Sequence, residues 1–174
     1  MKKLLIVVDM QNDFITGPLG SEQAEKILPA VNAKIEKYRE NGSSIIFTRD
    51  THDENYLETQ EGRRLPVVHC IEGTDGHEIT RELDTGDSLI FDKPAFGALD
   101  LVNEEYDEIE LIGLCTDICV VSNALILKAK YPETRVTVDA SCCAGASDEG
   151  HKAALLTMKS CQVNITDEQT NTIW

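Results

Sequence analysis

Lys3-Leu4-Leu5-Ile6-Val7-Val8-Asp9 decides the fold. The apolar run Leu4 to Val8 has no polar interruption and stops at an acid. A run that short and that continuous reads as a strand buried on both faces, as in a parallel sheet. It falls below the ~7 to 15 apolar residues of a secretory signal core. The pattern returns downstream. Ser44 to Thr48 ends at Arg49-Asp50, Leu89 to Phe91 at Asp92-Lys93-Pro94, and Ile109 to Leu114 at Cys115-Thr116-Asp117. Val136 to Val138 and Val163 to Ile165 bring the expected strands to six.

Helical patterns lie between these runs. Ser21 to Glu40 repeats apolar residues at three- and four-residue steps, with Ser21 as N-cap and Asn41-Gly42 as the stop. Ile118 to Lys130, capped by Asp117 or Thr116 with Asp117 favoured, is a second helix. Ser147 through Ser160 is a third, after a small-residue turn at Ala140 to Ala146. The alternation predicts one α/β domain over residues 1–174, a three-layer α/β/α arrangement around a six-stranded, mostly parallel sheet. In such sheets ligands bind beyond the carboxyl ends of the strands. The chemistry is therefore expected at Asp9, Asp50, Lys93 and Cys115 to Cys119, with Asp139 a weaker candidate.

The formal net charge of −15 over 174 residues argues against a nucleic-acid partner. No stretch reaches the ~18 to 20 apolar residues of a membrane helix. Without a signal, a cytoplasmic protein is expected, and its six cysteines (70, 115, 119, 142, 143 and 161) should be reduced.

Cys119 stands one turn into a helix that follows a strand, where free N–H groups and the helix dipole can lower a thiol pKa and hold an oxyanion. Asp9 can take the thiol proton, and Lys93 can hold the charge balance. The long irregular segment from residue 51 to about 76 carries a second set. Asp50 and His52 are two residues apart, Glu61 follows, then His69. Two imidazoles with carboxylates suit zinc first, and manganese or iron as well. His77 and His151 read as unremarkable, His151 as an exposed imidazole near a helix start.

Three segments resemble the isochorismatase-like cysteine hydrolases, the superfamily that includes nicotinamidases. Val8-Asp9-Met10-Gln11-Asn12-Asp13-Phe14 is similar to its opening motif. Asp92-Lys93-Pro94-Ala95-Phe96-Gly97-Ala98 is similar to the lysine segment, and Gly113-Leu114-Cys115-Thr116-Asp117-Ile118-Cys119-Val120 to the nucleophile motif. They occur in family order and span essentially the whole chain. The resemblance implies a Rossmann-like hydrolase fold and an Asp9-Lys93-Cys119 catalytic triad. It also implies a cis Leu114–Cys115 peptide with an oxyanion hole from the N–H groups of Cys115 and Cys119. Asp50, His52 and His69 match the family's metal ligands, and Glu61 resembles an acidic fourth ligand, with Glu58 its rival. Phe14, Leu65 and Phe96 are the implied substrate contacts. The implied reaction is hydrolysis of a small carboxamide, nicotinamide first, through a cysteine thioester. A carbamoyl or ureido amide is the alternative substrate, and a metal- or redox-binding protein the alternative class. A homo-oligomer is implied as well.

Overall fold

The computed structural model describes residues 1–167 and the backbone of residues 172–173. Six strands form the parallel sheet: β1 (Lys3–Val8), β2 (Ser44–Asp50), β3 (Leu89–Lys93), β4 (Glu108–Leu114), β5 (Arg135–Ala144) and β6 (Asn164–Asp167). A short β7 (Thr172–Ile173) adds antiparallel to β6. The order β3-β2-β1-β4-β5-β6-β7 means that the chain winds one way from β1 and then, from β4, the other. The two directions part between β1 and β4, the position at which doubly wound sheets open a crevice for a ligand.

Alternation along β1 feeds two cores. Leu4, Ile6 and Val8 pack on one face with Leu111, Val138 and Val120. Leu5 and Val7 pack on the other with Ile112 and with Ile27, Val31 and Ile35 of the helix Glu22–Glu40. Strands covered on both faces have no need of a polar face, which is why β1 carries no polar residue between Leu4 and Val8.

Two short helical turns, α1 (Asn12–Ile15) and α3 (Gln60–Arg64), lie in the connections, and α2 runs Glu22–Glu40. Ser21 caps α2, its hydroxyl accepting from Ala24 N at 3.1 Å. α4 (Val121–Lys130) and α5 (Asp148–Ser160) cover the opposite face. Ser147 caps α5 through Gly150 N at 3.0 Å.

Two expectations change. The run Ala140 to Ala146 is not a turn but largely the end of β5. Leu111 pairs with Val138 and Gly113 with Cys143, so residues 139–142 bulge out of the ladder before pairing resumes. Asp117 does not cap the helix after β4. Residues Thr116–Val120 form a wide π-helical turn that opens with Cys115 and leads into α4. Asp117 reaches across instead, accepting from Ala146 N at 2.9 Å.

Candidate active site

β1, β2 and β3 lie side by side, and their carboxyl ends deliver Asp9, Asp50 and Lys93 to one place. Asp9 leaves β1 with φ +48°, which swings its carboxylate across the strand ends. Thr48 of β2 fixes it there: its hydroxyl donates to Asp9 Oδ1 at 2.6 Å. Lys93, the last residue of β3, is fully buried. Its ammonium lies 2.7 Å from Asp9 Oδ2 and 3.2 Å from Asp50 Oδ1. It also donates to Cys119 Sγ at 3.3 Å and to the Ala95 carbonyl at 3.2 Å. One cation thus joins the thiol, the β1 carboxylate and the β2 carboxylate.

Burial sets the proton balance. It pushes the Cys119 thiol well above its ordinary value, and the Asp9 charge adds to this, outweighing the pull of Lys93. The direction is opposite to the lowering that a helix start would give, because burial at 4% exposure is the largest influence on this thiol. Burial also raises Asp9, with Lys93 pulling the other way. Burial disfavours the ammonium of Lys93, yet the carboxylates of Asp9 and Asp50 beside it overcome this and keep Lys93 protonated. The result is a protonated thiol beside a carboxylate of increased basicity, a pair suited to concerted proton transfer.

The second set converges on the other side of Asp50. His52 Nε2 lies 3.0 Å from Asp50 Oδ2 and 3.5 Å from Glu61 Oε1. His69 Nε2 lies 3.6 Å from Asp50 Oδ2. Ligand atoms of Asp50, His52, Glu61 and His69 all fall within 4.8 Å of one another. His69 Nδ1 donates to the Val67 carbonyl at 2.7 Å, which leaves the Nε2 lone pair facing the cluster. Burial opposes ionisation of Asp50, but its hydrogen bond with His52 and the nearby Lys93 ammonium hold it below the ordinary carboxylate range. Two imidazoles, two carboxylates and close spacing fit a divalent metal, whose charge would offset acids that Lys93 alone does not balance. Glu58 is exposed and stands outside this group.

Phe14, Leu65 and Phe96 line one cavity of about 330 Å³ with Cys119, Asp50 and His69. Cys115, Ile118 and Ala146 also line it. The Leu114–Cys115 peptide is cis.

Some contributors carry no signal in the sequence. Tyr56 packs its ring 4.6 Å from His52 and 4.9 Å from His69, and its hydroxyl holds the Leu65 carbonyl at 2.9 Å. It lies in an irregular segment, where no periodicity marks a buried residue. His151 is not the exposed imidazole expected: it is half-buried, with Nδ1 2.8 Å from Thr116 Oγ1, tying α5 to the cysteine turn. His77 is buried against Thr51, at 2.8 Å, and stays outside the cavity. Asp139 pairs with Lys34 at 2.8 Å beneath α2, away from the site. All six cysteines are free thiols.

The sequence profile of the Isochorismatase domain matches residues 3–170. The chain belongs to the isochorismatase family. Its fold is similar to that of the nicotinamidase/pyrazinamidase PncA of Bacillus subtilis, with TM-score 0.83 and 29% identity, covering 95% of this chain and 99% of that one. It is also similar to the pyrazinamidase of Pyrococcus horikoshii in complex with zinc, with TM-score 0.76 and 29% identity over 96% and 99% of the two chains. The N-carbamoylsarcosine amidase of Thermoplasma acidophilum gives TM-score 0.79 and 27% identity over 96% of each chain. Among the described residues of this family member, no helix is long and apolar enough to cross a membrane.

Proposed function

We propose that this family member is a cysteine amidohydrolase that converts nicotinamide to nicotinate and ammonia. The observation that carries the reading is the Lys93 ammonium, shared between Asp9 Oδ2 at 2.7 Å and Cys119 Sγ at 3.3 Å. The kinship with amidases supports the same class of reaction.

In this reading Cys119 Sγ attacks the carboxamide carbon as Asp9 takes the thiol proton. Lys93 stays protonated and offsets the negative charge passing between them. The N–H groups of Cys115 and Cys119 hold the oxyanion, and one such donor is typically worth about 2.7 to 4 kcal/mol. Asp9 then protonates the departing nitrogen, ammonia leaves, and a thioester remains on Cys119. Water gives a proton to Asp9 as its oxygen bonds to the thioester carbon. The thiolate leaves and recovers that proton, and the product departs as the carboxylic acid, which gives its proton to solvent and becomes the carboxylate. Asp50, His52, His69 and Glu61 would hold a divalent metal, zinc in the first instance. When bound, it would supply a Lewis-acid anchor for a pyridine nitrogen and so orient the carboxamide toward Cys119.

The cavity favours nicotinamide over a carbamoyl amino acid. Its walls are mainly apolar, its charged lining is Asp50 and Glu61, and the described lining holds no arginine or lysine. A neutral heteroaromatic amide meets no penalty there, whereas a substrate carboxylate would be desolvated among apolar walls with no cationic side chain of the lining to pair with it. Ammonia release from nicotinamide and from N-carbamoylsarcosine, measured in parallel with zinc present, tests this. Turnover confined to nicotinamide is expected. Turnover confined to the carbamoyl substrate would replace the substrate, and none with either amide would favour a metal- or redox-binding role.

A further inference from the structure

The β1–β2 ladder leaves Asp50 short of a partner. Paired residues end at Val7 and Phe47, and the last main-chain bond between the strands runs from Asp9 N to the Thr48 carbonyl at 3.2 Å. Beyond it β1 turns away at Asp9, while β2 continues to Asp50. The Asp50 N–H and C=O therefore face a place where a strand would be, inside the protein. Burying that pair unsatisfied would be costly.

Gln11 fills the missing rung. Its Oε1 accepts from Asp50 N at 2.7 Å, and its Nε2 donates to the Asp50 carbonyl at 2.9 Å. The second Nε2 hydrogen goes to the His77 carbonyl, also at 2.9 Å. The residue is fully buried, and its main chain bridges to Ile79. One side-chain amide thus grips the Asp50 residue at both main-chain groups and ties it to the segment that follows His69. Side-chain amides rotate freely about their last bond, so three simultaneous bonds fix both the amide and what it holds.

We infer that Gln11 is a positioning residue for the metal centre, setting the Asp50 carboxylate between His52, His69 and Lys93 through the Asp50 main chain. The role rests on the metal-binding part of the function proposed above. Asp50 Oδ2 meets the imidazoles while Oδ1 meets Lys93, so a small rotation of the Asp50 backbone would disturb both sets at once. Gln11 itself is absent from the cavity wall and touches no reacting atom. A purely structural glutamine would contribute stability without altering the ligand geometry.

The test compares wild type with Gln11→Met, which keeps shape and removes all three bonds, and Gln11→Asn, which keeps the amide but is one methylene shorter. Zinc affinity is read by competition with a chromophoric chelator, and the cobalt(II) form supplies a ligand-field spectrum. Loss of an outer-shell partner typically weakens metal binding about 10- to 100-fold, and that loss with an altered cobalt spectrum is expected in a variant that remains folded by circular dichroism. Wild-type affinity and spectrum in a folded variant would overturn the inference, as would failure of both variants to fold or a wild type that binds no zinc. Amide turnover does not enter the readout. A wild type that binds zinc but ignores nicotinamide sinks the substrate reading and leaves the role of Gln11 standing.

Discussion

Lys93 and Asp9 form an ion pair with both side chains fully buried, Nζ to Oδ2 at 2.7 Å. Removing one member of such a pair strands the other charge, at a cost of about 3 to 5 kcal/mol. Lys93→Met should therefore lower stability by about that much, in urea titrations, and abolish turnover. The double variant Asp9→Asn/Lys93→Met should recover part of the stability and none of the activity. A loss in the double variant equal to the sum of the Asp9→Asn and Lys93→Met losses would mean that the pair is not coupled.

Metal removal should act at the cavity without dismantling the thiol pair. Extensive dialysis against a chelator should suppress ammonia release from nicotinamide, and zinc should restore it. Asp50→Asn should weaken zinc binding more than Glu61→Gln. Asp50 is buried and meets Lys93 as well as both imidazoles, while Glu61 is half-buried and lies 3.5 Å from His52. Calorimetric zinc titration of the two variants orders them directly.

The charges beneath α2 predict an acid dependence. Burial disfavours the ionised form of Asp139, yet hydrogen bonds from Lys34 and Ser141 hold its carboxyl below the ordinary 3.8. A group depressed in the folded state contributes its full stability above its unfolded value and loses it as pH falls through the folded one. Stability should thus fall from about pH 3.8 downward, more steeply in wild type than in Asp139→Asn. Denaturant titrations from pH 6 to about pH 2 measure the two slopes. Parallel slopes would contradict the assignment to Asp139.

Gly113 holds the junction of β4 with β1 at φ +114°, and a Cβ there would strike the Val8 carbonyl oxygen. Gly113→Ala should cost about 3 kcal/mol or more, because neither strand can withdraw without breaking the ladder between Asp9 and the cysteine turn. A thermal melt close to wild type would show that β4 can shift.

What the sequence revealed followed from chemistry confined to a few adjacent residues. Leu4 to Val8 and Ile109 to Leu114 are apolar without interruption, so their burial was legible, and with it the parallel sheet. Asp9, Asp50 and Lys93 were visible because a charge that ends an apolar strand stands at the edge where such sheets bind ligands. What stayed hidden depends on contacts distant in the chain. Nothing near Asp139 announces Lys34, and nothing near Gln11 announces that β1 leaves Asp50 unpaired. The state of the Cys119 thiol is hidden for a related reason: position in a helix is local, whereas the burial that raises it comes from the surrounding fold.

Whether Cys119 is the nucleophile is settled by ammonia release from nicotinamide, with zinc-loaded wild type beside folded Cys119→Ala. Steady turnover by wild type and none by the variant is expected, with a thioester on Cys119 trapped by acid quench and mass spectrometry. Turnover that survives in Cys119→Ala would contradict the proposed mechanism, because the carbon–nitrogen bond would then break without the thiol.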